Sequence, residues 1–423
     1  APGGVSRREP LASALNASAA IAPDAFQRII KQAYDANIMF LIQQAQIRAQ
    51  EINKGEVKDW KDLVANAKDA PNQDVTVEVQ AYASPDGGVE LNEKLSEQRE
   101  KNTTTALKKQ FQKSNIKDVE INAHYTAQDW EGFKQLVEKS DIQDKELVLR
   151  VLSMYPDPEQ REQEIKNIST VFRQLADDIL PQLRRSRLIA NVEIIGKSDD
   201  EIKRLAAQNP GRLTVEELLY SATLLESPAQ KEDIYKVATQ IYPDDYRAYN
   251  NIGMMRYRSG DLEGARTWFH KAASVKPNAE TDMNLGLLAL NEGNVEQAKQ
   301  YFGSAANVPE LGEALGLLYL QEGNYAQAVA AFGKTESNNA AVANILNRDY
   351  NRAQEILNGI KNPDATTYYL MAVVAARTNN LDVVINSLRE SISLDSSMMK
   401  KAATDLEFAK YANDGGFKSL LRH

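Results

Sequence analysis

The sequence predicts an α+β domain followed by an all-α solenoid of stacked helix pairs. Three observations carry this. Up to about residue 196, stretches with the two-residue alternation of strands are separated by stretches with helical periodicity. Asn209-Pro210-Gly211 then breaks the chain. Beyond residue 213, one spacing of Gly, Ala and Phe recurs three times in succession.

Residues 1–25 are small, polar and punctuated by Pro and Gly, so they read as a flexible segment. Apolar residues return over 26–196. "ANIMFLIQQAQI" alternates well enough for a strand over 38–47, and Val57, Trp60, Leu63, Val64 and Ala67 form a helical stripe. "DVTVEVQAYA" sets Val75, Val77 and Val79 against polar neighbours, the period of a half-buried strand. A helix follows over about 89–113, then a strand in "KDVEINAHY". An insertion at about 128–183 holds three helical stretches, and "RRSRLIANVEIIG" supplies a fourth strand through Leu188, Ala190, Val192 and Ile194. Helices between sequential strands imply helices on one face of a mixed sheet.

Ser198 with Glu201 and Thr214 with Glu217 have the spacing of capping boxes, which marks 197–212 as a linker helix before the solenoid of 213–423. In the solenoid, Gly253, Gly286 and Gly316 each precede Gly260, Gly293 and Gly323 by seven residues. Ala265, Ala298 and Ala328 come five residues later, and Phe269, Phe302 and Phe332 four after that. The first Gly and the Ala let two antiparallel helices approach closely, the second Gly makes the turn, and the Phe fills the seam. With Tyr249, Ala272 and Pro277 this resembles the tetratricopeptide repeat. Weaker copies flank the three (Ala238 and Pro243 before; Ala353, Leu357, Ala372 and Leu388 after), and a capping helix follows Met398.

Stacked helix pairs make a concave groove lined by the first helix of each unit. By the repeat's phase, Asn250, Asn251, Met254, Tyr257, Met283, Asn284, Leu287, Glu313 and Leu317 face it, unless several of them bury against the neighbouring helix. Asn side chains can pair with the backbone of an extended peptide, and Met and Leu adapt to its apolar side chains. The Lys and Asn pattern by which co-chaperone repeats clamp a C-terminal carboxylate is absent, since Asn250 and Met254 stand at the key places.

A second resemblance lies in "YASPDGGVELNEKLSEQR". Tyr82, Gly87, Asn92, Leu95, Ser96 and Arg99 stand where the OmpA/MotB peptidoglycan-associating domain carries its strand end, loop glycine and Asn-x-x-Leu-Ser-x-x-Arg helix. The resemblance covers about 34–196 and implies an OmpA-like βαβαββ sandwich, here with a helical insertion. It also implies that loop and helix start hold diaminopimelate of the peptidoglycan stem peptide. Arg99 would fork to the carboxylate, helped by N–H groups at the helix start. The family's Asp is replaced by Ser84, so the ligand's amine loses its ion pair unless Asp86 reaches back; Arg185, in the cluster Arg184, Arg185 and Arg187, either extends the site or is a solvated edge.

The composition narrows the function classes. The 423 residues carry a net charge of −9, which leaves no basic excess for nucleic acid. There is no cysteine, so neither a disulfide framework nor a thiolate metal site. No apolar run approaches the ~18 residues of a membrane span. His124, His270 and His423 have no ligand spacing, and no Ser elbow, P-loop or HExxH occurs, so no catalytic residue, metal or cofactor is expected. The chain starts at Ala1 rather than Met and reads as a mature or trimmed product. Membrane association would come only through a missing N-terminal part or a partner. The resemblances together imply a non-enzymatic scaffold on the periplasmic face of the outer membrane of a Gram-negative bacterium. It would associate with peptidoglycan and hold a protein partner, such as an assembly or secretion complex. The alternative is a pure protein-interaction module whose first domain no longer binds peptidoglycan.

Overall fold

The computed structural model describes residues 17–422, with the side chains of 169–171 left aside. The chain divides into two compact units, one formed by 27–198 and the other by the segment ending at Phe26 together with 199 onward. The first unit is therefore inserted within the second.

Unit 27–198 is built on a four-stranded sheet of order β1-β4-β2-β3, where β1 is Ile29–Met39, β2 Gln73–Tyr82, β3 Ile121–Thr126 and β4 Arg185–Ile195. β2 and β3 run parallel, with Val79 opposite Ala123; β4 runs antiparallel to both β2 and β1, with Ala190 opposite Val77 and Leu188 opposite Ala36. The alternation in β2 does what its period requires: Val75, Val77, Val79 and Ala81 are buried and the residues between them are not. The three valines meet Val57, Trp60 and Val64 of the helix Gly55–Asp69 and Leu107 and Phe111 of the helix Val89–Lys113, so both helices cover one face.

β1 departs from the sequence expectation. It occupies 29–39 rather than 38–47, because "IIKQAYD" at 29–35 is exposed on both faces and shows no alternation, whereas Leu41 and Ile42 are exposed in the connection that follows. The insertion also holds more than the three expected helices: Trp130–Lys139, Lys145–Met154, Pro158–Lys166 and Ser169–Gln174, then a π turn and a 3-10 turn reaching Leu183. These close over their own apolar core of Phe133, Val137, Val148, Leu175 and Leu183.

In the other unit, helix pairs run from Val215–Thr223 to Leu381–Leu394, followed by the helices Met398–Thr404 and Gly415–Leu420. The helix Asp199–Gln208 is not a free linker: Ile202, Leu205 and Ala206 lie in the repeat core. The Thr214–Glu217 capping box forms in both directions, Glu217 N–H donating to Thr214 Oγ1 at 3.2 Å and Thr214 N–H to Glu217 Oε1 at 2.9 Å. Gly260, Gly293 and Gly323 take φ of +85°, +78° and +77°, the left-handed conformation that their turns demand. An added Cβ on Gly253, Gly286 or Gly316 would fall within 2.4–2.6 Å of the ring of Phe269, Phe302 or Phe332, which is the physical content of the repeated spacing.

Residues 17–25, expected as part of a flexible segment, are instead packed along the repeats together with Phe26. Ala17, Ala19 and Ala20 belong to the repeat core, and Phe26 stacks on Tyr220 with ring centroids 4.2 Å apart. Residues 1–16 of that expected segment lie outside the described residues.

Candidate functional site

The first helices Tyr246–Arg258 and Ala279–Asn291 place three asparagines against the backbone of the N-terminal segment. Asn284 accepts at Oδ1 from the Ala20 N–H (2.6 Å) and donates through Nδ2 to the Ala20 carbonyl (2.9 Å). Asn251 treats Ala22 the same way, accepting its N–H at 2.8 Å and donating to its carbonyl at 3.0 Å. Each side-chain amide thus satisfies both polar groups of one residue, as a neighbouring strand would. The two gripped residues are two apart, the period of a stretched chain that turns every second residue to the same wall.

Asn250 ties the two grips together. Its Nδ2 donates to the Ala20 carbonyl (3.0 Å) and to Asn251 Oδ1 (3.2 Å), while its Oδ1 accepts from Thr281 Oγ1 (3.0 Å) and Asn284 Nδ2 (2.9 Å). All three asparagines are buried at 1% exposure or less, so the network works in a low dielectric where an unpaired amide would be costly. Tyr235 lies in the same core, and its burial pushes the phenol up to about 12.

At the other end of the segment, Glu216 Oε1 accepts from the Ala25 N–H at 2.8 Å. Arg247 donates to the Pro23 carbonyl at 3.3 Å and also forks to Glu216 and Asp245. Its bonds to Asp245 and then Glu216 hold the guanidinium above its ordinary pKa, and the Arg247 bond holds Glu216 below the usual carboxylate range. A cleft of about 710 Å³ opens beside this cluster, lined by Pro23, Tyr242, Tyr246, Arg247, Lys276 and Glu280.

Of the residues expected in the groove, Asn250, Asn251 and Asn284 are brought together on one ligand-like segment. Met254, Met283, Leu287 and Leu317 are buried in the repeat core and offer no open surface. Tyr257 is partly buried and accepts from Asn291 at 3.4 Å; Glu313 accepts from Asn339 at 3.3 Å, and burial raises its pKa. Glu216, Tyr220, Arg247 and Thr281 also belong to the site, although the repeat's phase did not single them out.

The loop 82–87 of the other unit corrects the expectation for Arg99. That side chain has no exposed surface, and it donates to the carbonyls of Gln44 (2.9 Å), Tyr82 (2.9 Å) and Leu41 (3.3 Å), with Phe40 4.9 Å beneath it. Burial pulls its pKa down to about 10, Arg184 adds to this, and Asp86 opposes it. The guanidinium therefore holds the 41–44 connection to the sheet and presents no fork to a ligand. Asn92 and Ser84 are likewise buried: Asn92 Nδ2 donates to the Gly87 carbonyl at 3.3 Å, and the Ser84 hydroxyl donates to Asp86 in a close bond. Gly87, at φ +121°, donates its N–H to Glu162 of the insertion at 2.9 Å. Arg185 lies 5.3 Å above the ring of Tyr82 and 3.7 Å from Asp129, whose burial raises its pKa, and Arg184 sits 3.6 Å from Asp86.

Among the described residues, no cluster of three or more His, Cys, Asp or Glu could hold a metal, and no helix is long and apolar enough to cross a membrane. A tetratricopeptide-repeat family model matches residues 246–278, which hold Asn250 and Asn251. The chain thus carries a tetratricopeptide repeat array, a fold that typically serves as a non-enzymatic protein-interaction module. No curated protein matches it. Solved structures similar to it include the APC/C hetero-tetramer Cut9–Hcn1, at 17% identity over 53% of this chain and 45% of that one, TM-score 0.41. A tetratricopeptide repeat protein from Parabacteroides merdae is 14% identical over 48% of this chain and 89% of that one, TM-score 0.37. Pseudomonas aeruginosa pilF is 18% identical over 53% and 98%, TM-score 0.33. The chain thus spans less than half the length of the first of these.

Proposed function

We propose that the chain is a non-enzymatic scaffold whose repeat groove holds a protein partner through an extended segment. The observation that carries this reading is the pairing of Asn251 and Asn284 with both the N–H and the C=O of single residues two apart. Such a grip reads backbone rather than side chains, so it suits capture of a stretched polypeptide. Placement at the periplasmic face of a Gram-negative outer membrane, in an assembly or secretion complex, is part of the proposal and rests on the resemblance of residues 82–99. A photo-reactive amino acid at Glu313, introduced in the native cells, tests the groove. One main adduct is expected, and Asn251→Ala with Asn284→Ala should remove it, with circular dichroism checking that the repeats remain folded. Adducts indifferent to both asparagines would reject the reading.

A second reading, association with diaminopimelate of the peptidoglycan stem peptide, is favoured by one feature. Among the described residues, the Nε atoms of Arg184 and Arg185 are buried without a hydrogen-bond partner near Asp86 and Asp129, two donors that an anion entering there would satisfy once Arg99 is spent on carbonyls. Wild-type protein should then sediment with purified sacculi and Arg184→Ala with Arg185→Ala should remain in solution. Wild type left in the supernatant would discard it.

A further inference from the structure

We infer that residues 17–26 are a resident ligand of the repeat groove. The partner they stand in for is an extended polypeptide with small side chains at two positions two apart, proline next, and an aromatic residue four beyond the second. The inference rests on the scaffold reading and deepens it by naming the chemistry of the partner.

Four features of the segment define that chemistry. Ala20 and Ala22 have no exposed surface while their backbones are gripped by Asn284 and Asn251, so a longer side chain at either place meets packed atoms instead of solvent. Pro23 follows and offers only a carbonyl, which Arg247 takes. The next amide used is that of Ala25, received by the Glu216 carboxylate, whose charge Arg247 balances. Phe26 closes the register by stacking on Tyr220. Every one of these contacts is made by a first-helix or neighbouring side chain to the segment, and none requires the segment to be covalently continuous with the repeats.

Continuity changes only the competition. A tethered segment acts at about millimolar effective concentration, so it lowers the apparent affinity of an outside competitor on the order of 100-fold or more. The resident copy thus keeps the buried asparagines satisfied when no partner is present and sets a threshold that a partner must exceed.

The test cuts the tether without removing the segment. A protease recognition sequence is inserted between Phe26 and Gln27 of the full chain, and the cleaved protein is mixed with labelled synthetic peptide of residues 17–26. The peptide is expected to exchange into the groove, while a peptide with Ala20→Leu and Ala22→Leu binds on the order of 100-fold more weakly or worse. The uncut chain carrying Ala20→Arg, whose own segment is expelled, should bind the labelled peptide where wild type does not, and this arm is independent of cleavage. Two results would overturn the inference: a cleaved fragment that excess peptide never replaces in folded protein, or repeats that melt once the fragment leaves. Either would make residues 17–26 a structural strap. The asparagine-dependent adduct at Glu313 would survive such an outcome if only the partner's chemistry is wrong, and would vanish if the groove is no scaffold.

Discussion

Arg99→Ala is expected to destabilise the 27–198 unit by roughly 3–5 kcal/mol. The substitution strands the carbonyls of Leu41, Gln44 and Tyr82 in a buried site and opens a void over Phe40. Each buried polar group left unsatisfied costs about 1–3 kcal/mol, and relief of the buried cation's desolvation offsets only part of that sum. For a unit of this size the melting transition should fall by about 10 °C. Arg99→Lys, which keeps the charge but not the three-way geometry, should fall between the two. Thermal unfolding of the intact chain, followed by a probe in the inserted unit such as Trp60 fluorescence, makes the measurement. An unchanged transition would show that the three carbonyls do not depend on Arg99 for their stability.

The second large effect runs against helix propensity. Gly286 lies inside the helix Ala279–Asn291, where Ala would ordinarily gain about 1 kcal/mol over Gly from helix propensity. Here the new Cβ would sit 2.6 Å from Phe302 Cε1 and 3.1 Å from Tyr301 Cβ. Phe302 is 3% exposed and has no free direction in which to retreat, so overpacking of about 1–3 kcal/mol outweighs propensity and Gly286→Ala destabilises the repeats. On a Phe302→Leu background the ring contacts are relieved and only the 3.1 Å approach to Tyr301 Cβ remains, so the same substitution should cost much less or turn neutral. A double-mutant cycle measured by urea unfolding reads the difference directly. Equal effects in both backgrounds would show that the ring does not set the glycine.

The same contact explains why the repeats could be read from the chain. Gly286 and Phe302 touch, as do Gly253 with Phe269 and Gly316 with Phe332, so a side-chain requirement at short sequence range leaves a countable spacing. Asn250, Asn251 and Asn284 were legible for the same reason, since helical phase alone turns them to one wall. What they hold was not legible. Residues 17–26 are small because they fit a closed slot, and small residues in a row look like linker when the slot is more than two hundred positions away.

Arg99 failed in a related way. Its helix motif was visible, but the three carbonyls that consume it come from residues 41–44 and 82, and a backbone acceptor carries no signature in sequence. β1 was displaced because Ile29, Ile30 and Tyr34 stay exposed at the sheet's edge, so its first half lacks the alternation that burial imposes on β2.

The bond between Ala20 and Asn284 spans 264 positions. At roughly 5–20 residues per second, a ribosome completes that distance in tens of seconds. During synthesis the alanine-rich stretch therefore emerges ahead of the inserted unit and waits through the whole of it before its asparagines exist. It can dock only after the first helices of the second and third pairs have been made, which makes it a late step of maturation and leaves a long interval in which a chaperone or another nascent chain could hold it.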